Sequence, residues 1–220
     1  MKFFRLPFKL TVLLGAFLLW IAPYALADIA RTYQVELIIF SHLSSNGLNS
    51  EDWPISMNSF TPDTNATKLA PPSSNQKYLK LLSPQYFTLA NEQSRLDKYA
   101  STYHTILHAA WRQQVFEPRY AQSTRIFGGH LNDNGGSEIP EVEGTIRISV
   151  EHYLNVHLNL VFATPAKPIA RLAHNNQFAK APNGLVYFHL KENRRMRSNE
   201  LNYIDFPLYG VLIKITPISS

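Results

Sequence analysis

The stretch that decides the fold runs from Glu143 to Phe162 and reads EGTIRISVEHYLNVHLNLVF. Every second residue from Ile146 to Phe162 is apolar except His152, and most of the residues between them are polar. Because successive side chains of a strand point to opposite faces, this pattern predicts a strand with one buried face. A two-residue hairpin would switch the parity of the buried positions, and no switch occurs. We therefore predict one long, bent or bulged strand, with a three-residue turn near Asn155 as the alternative.

The segments on either side predict an α+β fold. Five of them have the composition of strands: Val35–Phe40, Tyr103–Gln113, Ser123–Gly129, Leu185–Lys191 and Tyr209–Thr216. Thr88 is placed to cap a helix from Leu89 to about Ala100, and residues 41–77 and 164–184 have the composition of long loops. This order predicts one mostly antiparallel sheet with one main helix, and a ferredoxin-like core with inserted strands is one compatible arrangement.

The N-terminal residues have the three parts of a secretory signal peptide. Three cations precede an uncharged run from Leu10 to Ala22, which is followed by Pro23 and by the small residues Ala25 and Ala27. The uncharged run is shorter than the ~20 residues of a membrane-spanning helix. We predict cleavage after Ala27, which leaves residues 28–220 as a single exported domain. An uncleaved membrane anchor is the alternative.

Composition and charge exclude several functions. The chain has no cysteine, so it has no disulfide, no thiolate nucleophile, no Cys-ligated zinc and no N-terminal lipid anchor on cysteine. Removal of residues 1–27 leaves 18 Lys+Arg against 16 Asp+Glu, a net charge of +2 instead of +5. A nearly neutral protein does not bind nucleic acid by counterion release, which needs a concentrated basic face.

The sequence predicts no catalytic residues, no cofactor and no metal. It contains neither G-x-S-x-G nor S-x-x-K, and its paired glycines are not followed by a helical pattern. His104 and His108 are expected to share one face of their strand, but no third ligand or adjacent Glu completes a zinc motif near them. His152, on the apolar side of the long strand, is expected to be a core histidine.

The candidate ligand-binding residues lie mainly between positions 194 and 207. Arg194, Arg195 and Arg197 form a local positive cluster whose guanidinium groups suit carboxylates. Tyr203 nearby and Trp111 could offer ring faces to a sugar, and Arg112, next to Trp111, is a further candidate for ligand binding.

A structural role for this segment is the alternative. Arg197, Glu200 and Asp205 are spaced so that they could pair with one another and fix a tight turn ahead of the last strand.

Several segments, in order, resemble the CsiV family of peptidoglycan-binding periplasmic proteins. They are Tyr33–Phe40, Leu107–Gln113, Glu143–Arg147, His152–Leu154 and, most specifically, Arg194–Gly210. The resemblance implies a non-enzymatic periplasmic protein that binds peptidoglycan and supports its synthesis through a class A penicillin-binding protein and its outer-membrane lipoprotein activator. Two positions depart from the family pattern, since Asn202 and Phe206 stand where histidines are expected.

Two other functions remain open at this point. An envelope adaptor would bind a partner protein through the loops at 41–77 and 164–184, without binding the wall directly. A wall hydrolase would instead use carboxylates or histidine and would release soluble muropeptides.

Overall fold

A computed structural model describes residues 31–42, 48, 65–173 and 178–218. The predicted signal peptide and most of the predicted loop at 41–77 lie outside the described residues. The α-helices and strands are β1 Arg31–His42, β2 Thr67–Lys68, α1 Ala90–Lys98, β3 Tyr103–Val115, β4 Ser123–Asp133, β5 Glu138–Val150, β6 Leu154–Pro165, α2 Ala166–Leu172, β7 Leu185–Met196, β8 Leu201–Phe206 and β9 Tyr209–Pro217. Neither of these helices has the length and apolar character needed to cross a bilayer.

The strands form two open sheets. Sheet I has the order β3-β1-β9-β8, and sheet II has the order β2-β4-β5-β6-β7. All pairings between these strands are antiparallel except the short pairing of β2 with β4. One cluster of buried side chains takes members from both sheets, among them Val35, Leu37 and Ile213 of sheet I and Ile146 and Leu158 of sheet II. The two inner faces therefore share a hydrophobic core.

The predicted α+β class with antiparallel pairing holds in outline, although there are two sheets where one was expected. The ferredoxin-like core is not confirmed, because both neighbours of β1 run antiparallel to it and so form no parallel βαβ pair. The region 164–184, predicted as a loop, contains α2, which buries Ala166, Ile169 and Ala170.

The predicted single long strand is wrong, and the alternative three-residue turn is correct. Val150 of β5 pairs with Leu154 of β6, so the loop between them consists of residues 151–153, just before the expected position. A three-residue loop pairs position i with i+4, which leaves the parity of the buried residues unchanged. His152 is exposed in this loop and is not a core histidine.

The prediction that His104 and His108 share one face of β3 is wrong, because the strand contains a bulge between them. Ile39 pairs with Leu107 and Phe40 pairs with Thr105, so one residue of β3 is extra. Because the extra residue shifts the alternation of side chains, His104 and His108 point to opposite faces of sheet I. His108 contacts Glu36 and the ring of Phe87, whereas His104 faces sheet II.

Helix α1 covers part of the outer face of sheet I, where Leu89 and Leu96 pack against Ile38 and Phe40. It begins at Ala90 without the predicted side-chain cap from Thr88.

Candidate functional site

The outer face of sheet II carries three rungs of polar side chains across β5, β6 and β7. Residues that pair across neighbouring strands share a face, and the buried alternates of these strands point to the core on the other side. The rungs are Ser149–Asn155–Arg195, Arg147–His157–Asn193 and Thr145–Asn159–Lys191. We call these nine residues the polar face.

A groove of about 270 Å³ lies over two of these rungs. Its walls include Arg147, His157 and Asn193 from one rung and Thr145, Asn159 and Lys191 from the next. Ser123 of β4, which pairs with Arg147, continues the groove toward the adjacent strand. A groove of this volume can hold one repeating unit of a polymeric ligand.

The groove carries two cations, and the one acidic residue of its lining, Glu192, pairs with Arg194 and not with either of them. Arg147 and Lys191 are exposed, and neither forms an ion pair within the described part of the chain. Arg125 of β4, by contrast, pairs with Glu143. Guanidinium and ammonium groups without partners bind carboxylates through charge-assisted hydrogen bonds.

His157 lies between these two cations as a neutral group. Burial, and to a lesser extent the charge of Arg147, lowers the pKa of His157 below its ordinary value. At neutral pH its imidazole therefore offers one donor and one acceptor. Such a group can bind a hydroxyl or an amide without adding charge.

Arg195 lies at one end of the polar face, stacked on Tyr153 of the hairpin loop. The guanidinium carbon is 3.5 Å from the centroid of the ring. Stacking holds the guanidinium plane and leaves its N–H groups available to donate hydrogen bonds to a carboxylate. Of the residues proposed from the sequence, Arg195 is the one that the structure places on the polar face.

The other two arginines of the predicted cluster point elsewhere. Arg194 pairs in register with the buried Val156, so it lies on the opposite face of β7 from Arg195. Its Nη2 is 3.3 Å from Oε1 of Glu192. Arg197 follows the end of β7, and its Nη1 is 3.8 Å from Oε1 of Glu200. The three arginines therefore do not form a single patch.

The proposed aromatic residues lie in sheet I. Trp111 has no exposed surface, and its indole N–H donates to Oε1 of Gln113 at 2.7 Å. The expectation that Trp111 stacks on a sugar is wrong for this reason. Its neighbour Arg112 is exposed on β3, and Tyr203 on β8 is half exposed.

The alternative interpretation, in which Arg197, Glu200 and Asp205 pair with one another, is correct for Arg197 and Glu200 but not for Asp205. Arg197 pairs with Glu200, as that interpretation required. Asp205 instead accepts a hydrogen bond of 2.6 Å from the hydroxyl of Tyr203. Burial, and the hydrogen bond that the neutral phenol donates to Asp205, raise the pKa of Tyr203.

Asn202 and Phe206, which stand where the family pattern has histidines, both make local contacts. The Asn202 side chain donates to the carbonyl of Glu200, and the Phe206 ring stacks on Phe162 with centroids 6.3 Å apart. Phe206 thus contributes to packing at the edge of the core.

Arg147, His157 and Lys191 are not among the site residues predicted from the sequence. The alternation did place Arg147 and His157 on the exposed side. The alternation predicts a single strand, whereas a hairpin is needed to bring Arg147 and His157 side by side.

A second cavity, of about 290 Å³, lies near the connection from β3 to β4. Tyr78, Gln113 and Phe116 are among its lining residues, and none of the lining residues carries a charge. It therefore lacks groups that would attract a charged ligand.

Two open sheets with a cationic groove on one outer face define a scaffold suited to an extended polar ligand. The family model described as "Peptidoglycan-binding protein, CsiV" matches residues 9–218, and the chain belongs to this family. The resemblance seen in the sequence is thereby confirmed. No curated protein and no solved structure matches the chain.

Proposed function

We propose that this protein binds peptidoglycan through the polar face of sheet II. The observation that carries the proposal is the pair of cations, Arg147 and Lys191, on either side of the neutral His157 in an open groove. Peptidoglycan offers sugar hydroxyls, acetamido groups and peptide carboxylates in a regular repeat. The family description agrees with this ligand.

Each part of the polar face suits one part of that ligand. Arg147, Arg195 and Lys191 bind stem-peptide carboxylates, the two arginines through bidentate hydrogen bonds. The amides of Asn155 and Asn193 bind hydroxyl and acetamido groups. Successive rungs are two residues apart, or roughly 7 Å, so a repeating polymer can contact several rungs at once.

The site of action follows from the ligand. We place the protein in the periplasm, where residues 28–220 act as a single domain after removal of residues 1–27. There it supports wall assembly, without enzymatic activity of its own, through a class A penicillin-binding protein and its outer-membrane lipoprotein activator. This pathway comes from the family resemblance.

Sedimentation with purified sacculi tests the proposed site. The polar-face variant combines Arg147→Gln, Lys191→Gln and Arg195→Gln. A matched control combines Arg112→Gln, Arg194→Gln and Arg197→Gln, which remove the same charge from other surfaces. Wild type and the control should pellet with sacculi, whereas the polar-face variant should bind more than tenfold more weakly, because it loses several charge-assisted hydrogen bonds.

Each outcome of this experiment has a distinct meaning. Loss of binding in the control alone would contradict the polar face and assign the site to the cluster predicted from sequence. If wild type stays in the supernatant, direct wall binding is wrong and an envelope adaptor becomes the working hypothesis. Release of soluble muropeptides by wild type would contradict the non-enzymatic role. Since the contacts are electrostatic, binding should also weaken as salt rises.

A further inference from the structure

Three side chains from three strands, none of them part of the polar face, form one cluster. They are His104 of β3, His130 of β4 and Glu141 of β5. One donor atom from each residue lies within 4.8 Å of the other two. Because β3 belongs to sheet I and the other two strands to sheet II, the cluster lies between the sheets.

Two β-bulges turn the side chains of His104 and His130 toward the carboxylate of Glu141. In β3, the extra residue turns His104 toward sheet II. In β4, the register shifts between Gly128 and Leu131, and Gly129 adopts a φ of +80° next to His130. A bulge of this kind redirects a side chain at a chosen point of a strand.

The backbone at Gly129 approaches Glu141 too closely for any side chain. A Cβ atom there would lie 2.7 Å from Oε2 of Glu141 and 2.8 Å from Cγ2 of Ile106. Glycine is thus required both by the positive φ and by the contact. This local geometry brings His130 next to the carboxylate.

The carboxylate of Glu141 is buried with an unsatisfied oxygen. Its side chain is 7% exposed, and Oε2 has no hydrogen-bond donor among the described residues. Nδ1 of His130 lies 2.7 Å from Oε2, a contact that is an ion pair when the imidazole is protonated. Burial of a carboxylate is costly unless a cation compensates it, and a bound metal ion would do so together with this contact.

We propose that His104, His130 and Glu141 bind one divalent transition-metal ion of the Zn²⁺ class. Two imidazole nitrogens and one carboxylate oxygen are a donor set that zinc accepts, with a fourth position left for water. Imidazole ligands disfavour Mg²⁺ and Ca²⁺, which prefer oxygen. Both histidines are exposed, so the ion can reach the buried carboxylate from solvent. Bound there, it links sheet I to sheet II.

Zinc alone is the probe for the test. The protein, purified after expression from its full coding sequence and stripped with a chelator, is titrated with Zn²⁺ by calorimetry. We expect one ion per chain. Glu141→Gln and His104→Gln should each weaken binding at least tenfold, since loss of a direct ligand costs no less than loss of a residue that only supports one. His152→Gln, an exposed histidine in the 151–153 loop, is the matched control and should bind as wild type does.

Thermal unfolding gives an independent readout. At a zinc concentration one hundred times the wild-type Kd, wild type should gain about 5–10 °C in Tm, and Glu141→Gln should gain no more than about half of that rise, since its affinity is at least tenfold lower. The Glu141→Gln protein should fold without zinc, because the substitution removes a buried charge and keeps the size of the side chain. It should also still pellet with sacculi, which separates this site from the polar face.

Three results would overturn the proposal. They are no zinc binding by wild type, equal zinc binding by wild type and His104→Gln, and an equal zinc-dependent rise in Tm for wild type and Glu141→Gln. Any of them would leave the cluster as a His130–Glu141 ion pair.

Discussion

Glu36 connects the centre of sheet I to the helix outside it. Oε2 accepts hydrogen bonds of 2.7 Å from both the N–H and the hydroxyl of Thr88, and Oε1 accepts one of 2.9 Å from the N–H of Leu89. Nε2 of His108 is 2.8 Å from Oε1. The carboxylate thus binds the chain just ahead of α1, where a negative charge is also favoured by the helix dipole.

These contacts set the protonation state of Glu36. Burial by itself raises the pKa of this carboxyl, but the hydrogen bonds from His108, Thr88 and Leu89 together outweigh it and hold the pKa below 4.5. A carboxyl with a lowered pKa in the folded state stabilises the fold above its unfolded pKa. That stability is lost as the pH falls through the folded pKa.

Replacement of this carboxylate gives a pH-dependent prediction. Glu36→Gln should lower the free energy of unfolding at pH 7 by about 2 kcal/mol, because a charged acceptor of several hydrogen bonds is removed. Urea unfolding at a series of pH values measures the effect. The difference from wild type should shrink as the pH falls below 4.5 and the wild-type carboxyl takes up a proton. A difference that stays constant down to pH 3 would contradict this account.

At the scale of elements, the β5–β6 hairpin shows what the sequence could predict. The alternation correctly assigned buried residues such as Ile148 and Leu158, because a three-residue loop keeps their parity. The loop itself gave no signal, since Glu151, His152 and Tyr153 include neither glycine nor proline. The bulge in β3 was equally hidden, because it is defined by pairing with β1 some 65 residues earlier in the chain.

Within the same hairpin, β6 lies so close to Gly144 that no side chain fits at this position. A Cβ atom at this position would lie 2.7 Å from Cα of Leu160 and closer still to the carbonyl oxygen of Asn159. Both are backbone atoms of the paired strand, so neither can move without disturbing the ladder. We expect Gly144→Ala to destabilise the protein by about 3 kcal/mol or more, as measured by urea unfolding.

Gly136 provides the control for this substitution. It has a φ of +98°, but a Cβ atom there would meet nothing within 4 Å. Gly136→Ala should therefore cost only about 1 kcal/mol, from the backbone conformation alone. Equal costs at the two positions would show that the close approach of β6 is not the reason for glycine at position 144.

For the whole molecule, family membership was easier to predict than the site. The resemblance rests on short segments that can be read one at a time, such as Arg194–Gly210. The polar face is assembled from residues far apart in sequence, for example Arg147 and Asn193, which become neighbours only when three strands pair. A cluster of arginines in sequence suggested one patch, but alternation along β7 sends Arg194 and Arg195 to opposite faces.

The shared core makes the two sheets interdependent. Leu158 of sheet II is 2% exposed and lies in the same buried cluster as Val35 and Ile213 of sheet I. If residues 28–220 are one domain, removal of a core contact in sheet II must weaken sheet I by the same amount, because both unfold together.

Leu158→Ala tests this interdependence. It should lower the free energy of unfolding by about 2–5 kcal/mol through loss of buried surface and formation of a cavity. Hydrogen exchange read by mass spectrometry should show the slowest amides of β1 and β9 exchanging faster by the same factor as those of β6. Leu201→Ala, the same change at a side chain that is 44% exposed, should alter neither sheet. Acceleration confined to sheet II would mean that the sheets unfold separately and that the chain holds two cooperative units.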